Sequence, residues 1–309
     1  MSILLIFKNK DPKPWQKMLK EKLPKEVVEI YPDVKDAATV DFVLCWKPKK
    51  DVFKELPNIK VVQSVGASID HIIHSQTLKD DCIVTRIVDE NLSQDMWEFL
   101  AAIVFGELKN TSLYMEQQKI KKWEQHAYRS FKDVTVSILG LGSIGAYVAQ
   151  NFAKLGFKVK GWSTTGKDIL GVDSFHGKGE FKSFLNQTNF LINLLPLTKE
   201  TQDILNKDSL GSLATNAFLI NVGRGEHLIE KDILQLLDSS VLSGAFLDVF
   251  REEPLPENHP FWKHPKIRIT PHIASLTNME SAVNLIVDNY HRFLSKEELL
   301  NVVSLKKGY

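Results

Sequence analysis

The sequence predicts an α/β protein of two doubly wound parallel-sheet domains, one inserted into the other. Three observations predict it. Short β-rich runs alternate with polar or helical stretches along the chain, a glycine-rich turn joins a strand-like run to a helix-like run near the middle, and a helical pattern near the C-terminus is placed to return to the first domain. Such alternation is the pattern of a parallel sheet covered by helices. With 309 residues the chain is also longer than one core usually organises, because single cores stop growing near roughly 250 to 300 residues.

The elements follow in order. Ile3 to Phe7, Asp41 to Trp46, Ile59 to Ser64 and Cys82 to Ile87 are β-rich runs, separated by polar or helical stretches. From Gln94 to Lys109 the apolar spacing becomes helical, with Phe99, Ile103 and Leu108 on one face, which predicts a long helix crossing between domains. Val134 to Leu139 reads as a strand that runs into Gly140-Leu141-Gly142-Ser143-Ile144-Gly145, and then Ile144, Val148, Phe152 and Leu155 recur at helical spacing. Further strands are expected at Lys158 to Trp162, Asn189 to Leu194, Ala217 to Val222, Ser243 to Leu247 and Ile267 to Thr270, with a helix at Glu230 to Leu237 among them. After Pro271 comes the helical pattern Ala282 to Phe293, which predicts the return.

The G-x-G-x-x-G turn is weak alone, but here it follows a strand and opens an amphipathic helix, which is the context of a Rossmann dinucleotide site. Gly140 permits the tight turn, Gly142 lets a pyrophosphate approach the backbone, Gly145 allows close helix–strand packing, and the N–H groups of Ser143 and Ile144 at the helix start suit a phosphate. The plainer reading is a glycine turn without a ligand. Where an acidic residue would hold the ribose 2'-hydroxyl, the chain reads Trp162-Ser163-Thr164-Thr165-Gly166-Lys167. A 2'-phosphate would meet Ser163, Thr164 and Lys167 without repulsion, so NADP is expected in preference to NAD, with NAD also possible. The expected division is 1–98 plus 282–309 for a flavodoxin-like substrate domain and 99–281 for the inserted dinucleotide-binding domain.

Composition narrows the functions. Apolar residues form 43% of the chain and charged residues 25%, as in an ordinary folded protein. Lys plus Arg number 39 against 38 Asp plus Glu, so a net charge of +1 gives no field for nucleic acid or anionic lipid. Cys45 and Cys82 have no metal-like spacing, and no metal site is expected. Two cysteines and an N-terminal apolar run too short for a signal peptide or a span, which needs about 20 apolar residues, point to the cytoplasm.

Asn221-Val222-Gly223-Arg224-Gly225, Gly244-Ala245-Phe246-Leu247-Asp248-Val249-Phe250 leading to Glu252-Glu253-Pro254-Leu255-Pro256, and Thr270-Pro271-His272-Ile273-Ala274 resemble the signature blocks of D-isomer-specific 2-hydroxyacid dehydrogenases. Val43-Leu44-Cys45-Trp46-Lys47-Pro48, Gly161-Trp162-Ser163 and Lys307-Gly308-Tyr309 are similar to the glyoxylate/hydroxypyruvate reductase A branch. The resemblance implies reduction of a small 2-oxo acid, with Arg224, Glu253 and His272 catalytic. A planar guanidinium can hold the substrate carboxylate and polarise the carbonyl, which suits Arg224. A general acid must protonate the oxygen as hydride arrives, which suits His272, and a neighbouring carboxylate fixes an imidazole's tautomer and favours its charged form, which suits Glu253 rather than Glu252. Taken singly, an Arg in a loop is a surface ion pair and a His a satisfied polar group. Three unlike residues at strand ends of one sheet outweigh that reading.

Cofactor contacts are expected also from Leu195, Pro196, Val222 and Gly223. Asp248 resembles the family residue on the nicotinamide side, with a loop anchor as the alternative. In the first domain the loop Ser64-Val65-Gly66-Ala67-Ser68 could cradle a carboxylate through its N–H groups, with Gly66 and Ala67 as the substrate contacts; the family usually carries a second glycine where this chain has Ser68. Trp46 matches a pocket position whose bulk favours glyoxylate or hydroxypyruvate, ordinary core packing being the alternative. The first domain is expected to close over the substrate, and the resemblance implies a homodimer. Two other readings stand beside this one: a reductase of larger 2-oxo acids, and a nicotinamide-sensing binding protein like the C-terminal binding corepressors, against which the lack of a low-complexity tail argues.

Overall fold

This computed structural model describes residues 1–73, 75, 77–79 and 81–305; Lys307-Gly308-Tyr309, which carries part of the resemblance, lies outside the described residues. In chain order the elements are β1 (Ser2–Phe7), α1 (Lys13–Lys22), β2 (Val27–Ile30), β3 (Val40–Trp46), β4 (Val61–Ser64), α2 (Asp70–Ile73), β5 (Ile83–Thr85), α3 (Glu90–Leu108), α4 (Thr111–Lys119), β6 (Thr135–Leu139), α5 (Ser143–Lys154), β7 (Lys158–Ser163), β8 (Asp173–His176), α6 (Gly177–Leu185), β9 (Phe190–Asn193), α7 (Lys207–Leu210), β10 (Ala217–Asn221), α8 (Glu230–Asp238), β11 (Leu242–Leu247), β12 (Ile267–Ile269) and α9 (Met279–Ser295). The chain forms two compact units, Met1–Leu92 with Thr277–Tyr309, and Ser93–Leu276. No helix among the described residues is long and apolar enough to cross a membrane.

The first unit is a parallel sheet in the order β2-β1-β3-β4-β5. Its central strands are apolar at nearly every position because both faces are covered, as parallel sheets require. Ile3, Leu5, Phe42 and Leu44 face one way, against Trp15 and Leu19 of α1 and Ala282, Val283, Ile286 and Tyr290 of α9. Leu4, Ile6, Val43 and Cys45 face the other, against Val52, Phe53 and Leu56. The returning helix is fixed by polar bonds as well: the Tyr290 hydroxyl donates to Glu26 at 2.7 Å and Asn289 Nδ2 donates to Gln63 Oε1 at 3.0 Å. In this strand order the direction of winding reverses between β1 and β3, the kind of place where open α/β sheets generally bind ligands, and Trp46 lies at the carboxyl end of β3.

The second unit has seven parallel strands in the order β12-β11-β10-β9-β6-β7-β8, with its reversal between β6 and β9. Two hydrophobic layers cover the sheet, one around Val136, Ile138, Val148, Phe152 and Ile192, the other around Leu139, Leu191, Leu219, Ile233 and Leu247. The strands β2 and β8 carry no strong sequence signal, and for a physical reason. Both are four-residue edge strands; β8 reads Asp-Ser-Phe-His and buries none of them fully, while β2 buries only Val28. Ladder hydrogen bonds to one neighbour hold such strands, and those leave no mark on side-chain periodicity.

Candidate active site

The glycine turn lies at the β6/β9 reversal. Gly140 has φ +98°, and a Cβ there would meet the Leu194 carbonyl oxygen at 2.8 Å; a Cβ on Gly145 would lie 1.8 Å from the Gly140 carbonyl oxygen. Both positions therefore demand glycine for the turn itself. Gly142 differs, because a Cβ there would meet nothing within 4 Å. It faces open space at the start of α5, where no side chain among the described residues caps the helix. Bare N–H groups at Ser143, Ile144 and Gly145, with open space over Gly142, fit a bound pyrophosphate.

At the end of β7, Ser163 is 9% exposed and donates its hydroxyl hydrogen to the Thr165 carbonyl at 2.6 Å. That hydrogen is not available to a phosphate; Thr164 and Lys167, the other two residues of the trio, are both exposed. Leu195 and Val222 have side chains that are almost fully buried, which leaves their backbones and Pro196 as the surfaces a ligand could touch.

Arg224, Glu253 and His272 follow β10, β11 and β12, three adjacent strands. Glu253 presents both carboxylate oxygens to His272 Nδ1, at 3.1 and 2.9 Å, and accepts the Phe250 N–H at 3.3 Å. A carboxylate only accepts, so Nδ1 carries the hydrogen and Nε2 is the nitrogen turned away from Glu253. Glu252 is exposed. His272 adopts φ +56°, a left-handed conformation that costs a non-glycine residue about 1–3 kcal/mol. Asp248 holds it there. That carboxylate is 1% exposed and accepts from the Thr270 hydroxyl at 2.6 Å, the Ile273 N–H at 2.8 Å and the Ala274 N–H at 3.0 Å, while the Asp248 carbonyl accepts the His272 N–H at 2.9 Å. The geometry of Asp248 is that of a loop anchor.

In the first unit Trp46 ends β3, half-buried, with its ring 4.8 Å from that of His71 and Lys10 Nζ 5.4 Å from its centre. A Cβ on Gly66 would come within 2.6 Å of the Trp46 ring, so glycine there is what lets the indole lie against the loop. The Gly66 N–H is already donated to Ser64 Oγ at 3.2 Å, and Arg86 holds the Ala67 carbonyl at 3.0 Å. The Ala67 N–H makes no hydrogen bond among the described residues, so Ala67 rather than Gly66 is the loop's available donor.

Three residues to which the sequence assigns no role support the Arg224 loop, Asn221 among them although it opens the Asn221–Gly225 block. Asn193, Asn221 and His227 are fully buried and hydrogen-bonded to one another. The one signal that could have shown them is that Asn193 and Asn221 end neighbouring strands in register, a polar pair where apolar residues are the rule.

The D-isomer specific 2-hydroxyacid dehydrogenase NAD binding domain matches residues 101–274. The chain belongs to that family. It is 35% identical to glyoxylate/hydroxypyruvate reductase A of Yersinia enterocolitica, covering 100% of both chains, and 36% identical to the protein of that name from Serratia proteamaculans over 96% of each. Among solved structures it is similar to an NADPH-dependent glyoxylate/hydroxypyruvate reductase of Sinorhizobium meliloti in complex with NADP and sulfate, at 33% identity and TM-score 0.93, covering 100% of both. A D-isomer specific 2-hydroxyacid dehydrogenase of Xanthobacter autotrophicus in complex with NADPH is 33% identical with a TM-score of 0.92, covering 100% of this chain and 99% of that one.

Proposed function

We propose that the protein reduces a small 2-oxo acid of the glyoxylate or hydroxypyruvate class to the 2-hydroxy acid, using NADPH. The observation that carries this is the His272–Glu253 pair, both carboxylate oxygens on Nδ1, held at a strand end by Asp248. Arg224 holds the substrate carboxylate and polarises the carbonyl through paired N–H donors. His272 delivers a proton from Nε2 to the carbonyl oxygen as negative charge develops there, and Glu253 fixes the ring and favours its charged form before transfer. Taken by itself, the first unit offers the Ala67 N–H as a donor suited to a carboxylate and the Trp46 ring as bulk that favours small acids.

The cofactor would be held by the Gly140–Gly145 turn and the start of α5, with the backbones of Leu195, Val222 and Gly223 and the Pro196 ring beside it; when bound, it supplies the hydride. A preference for NADPH is supported by the absence of a carboxylate in Ser163–Lys167 and by the NADP and NADPH complexes of the relatives from Sinorhizobium and Xanthobacter. The protein works as a homodimer, a reading supported by apolar residues exposed along and after α4: Met115 at 62%, Ile120 at 71% and Trp123 at 97%.

The test of substrate and cofactor is steady-state turnover with glyoxylate, hydroxypyruvate, pyruvate and phenylpyruvate, using NADPH and then NADH. Fast NADPH-dependent reduction of glyoxylate and hydroxypyruvate is expected. Turnover of phenylpyruvate alone overturns the role of Trp46, and a higher kcat/KM with NADH overturns the cofactor preference.

A further inference from the structure

His227 sits directly after the Arg224 loop with none of its surface exposed, and each ring nitrogen has a defined task. Nδ1 faces two donors, the Arg224 backbone N–H at 3.1 Å and Asn193 Nδ2 at 2.8 Å. With these two donors directed at it, Nδ1 carries the lone pair. Nε2 lies 3.2 Å from the Pro196 carbonyl, an acceptor, so it carries the hydrogen. The ring is thus in the neutral Nε2–H tautomer.

The remaining bonds close the network. The second hydrogen of Asn193 Nδ2 goes to Asn221 Oδ1 at 2.9 Å, and Asn193 Oδ1 accepts the Leu195 N–H at 3.2 Å. Asn221 Oδ1 also accepts the Gly223 N–H at 3.2 Å, and Asn221 Nδ2 donates to the Arg224 carbonyl at 3.0 Å. The backbone of Arg224 is therefore gripped at its N–H by His227 and at its carbonyl by Asn221. Glycine is required beside it, because a Cβ on Gly223 would lie 2.8 Å from Asn193 Nδ2 and 3.1 Å from His227 Nδ1. The same imidazole reaches the carbonyl of Pro196 on the loop after β9.

We propose that His227 is a positioning residue for the reaction: through its two ring nitrogens it fixes the Arg224 backbone relative to the Leu195–Pro196 loop and so sets the place of the guanidinium, whose Nη1 donates to the Gly223 carbonyl at 2.6 Å, from which it would meet the substrate carboxylate. The inference rests on the reading of Arg224 as the carboxylate-holding cation. A buried polar network in which every member is satisfied rigidifies what it holds, and a catalytic group misplaced by about 1 Å can lose roughly 10²-fold in rate.

The test is a double-mutant cycle with the full chain, NADPH and glyoxylate. His227→Phe, which keeps the bulk and removes both nitrogens, should lower kcat/KM about 100-fold in the wild type but less than about threefold in an Arg224→Gln background, because its effect passes through Arg224. His227→Gln, whose amide offers one acceptor and one donor, should recover part of the loss. A loss of equal size in both backgrounds overturns the proposal, since a merely structural residue acts regardless of Arg224. Arg224→Gln with wild-type kcat/KM overturns instead the reading of Arg224 on which it rests. A measurement free of folding effects is the nitrogen spectrum of ¹⁵N-histidine-labelled wild-type protein at neutral pH: a neutral Nε2–H signature for the resonance that His227→Gln removes supports the proposal, and a hydrogen on Nδ1 overturns it.

Discussion

Replacing Asp248 by Asn changes one atom and retains the size of the side chain, yet it should disable the loop that carries His272. The carboxylate accepts three hydrogen bonds, two on Oδ1 from Thr270 and Ile273 and one on Oδ2 from Ala274. The amide nitrogen is best placed where only one donor is lost, so it would face the Ala274 N–H, donor against donor. A charge-assisted bond is worth about 1.5–3 kcal/mol, and an unsatisfied buried donor costs about 1–3 kcal/mol. Taken together at the lower end of each range they suggest a loss of roughly 3 kcal/mol. His272 is held at φ +56°, so part of that loss appears as relaxation of the loop away from the productive backbone. A shift of about 1.4–2.8 kcal/mol in that equilibrium lowers the competent fraction roughly 10- to 100-fold. The assay is kcat with saturating NADPH and 2-oxo acid, alongside Tm. The expected result is a 10- to 100-fold fall in kcat and a Tm lower by roughly 10 °C, from about 2–4 °C per kcal/mol. Unchanged kcat and Tm with weakened NADPH binding would refute the anchoring role and favour Asp248 as a cofactor contact instead.

Other outcomes follow from the same geometry. Glu253→Gln should cut kcat by roughly one to two orders of magnitude, since it removes the charge facing Nδ1, whereas Glu252→Gln on the exposed neighbour should leave it within about twofold; equal effects in steady-state kinetics would contradict the assignment. Trp123→Glu should give monomers by light scattering at micromolar concentration, and a persistent dimer would exclude that face. Burial pushes the Cys82 thiol up to about 11 from its ordinary 9.0. The folded protein then retains a proton that the unfolded chain releases, so this stabilisation is complete below pH 9.0 and is lost as pH rises towards about 11. Tm should fall across that window, and less so in Cys82→Ala; identical slopes in the two proteins would reject the cause.

The glycine turn was legible because strand, turn and helix follow one another at once and Gly145 is required by a clash with Gly140 only five residues earlier, whereas the clash of Gly140 with Leu194, just past β9, is long-range. The pairing of Glu253 with His272 was legible only through the resemblance, since 19 positions separate them and the fold alone brings β11 and β12 side by side. Asp248 was noticed, but its hydrogen bonds depend on how the chain turns after β12, which no pattern in the sequence records. The same holds for the Gly66 N–H, taken by Ser64 two residues earlier. Asn193, Asn221 and His227 stayed hidden because they meet only through the placement of β9 beside β10. Polar residues in such places read as loop residues until the strand order is known.

The most direct measurement is turnover of glyoxylate and NADPH by His272→Ala, with NADPH affinity measured separately by fluorescence. The expected result is a fall in kcat of two or more orders of magnitude, roughly the worth of a general acid, while the cofactor still binds within about threefold of the wild-type affinity. Near-normal turnover would contradict His272 as the proton donor and, with it, the mechanism.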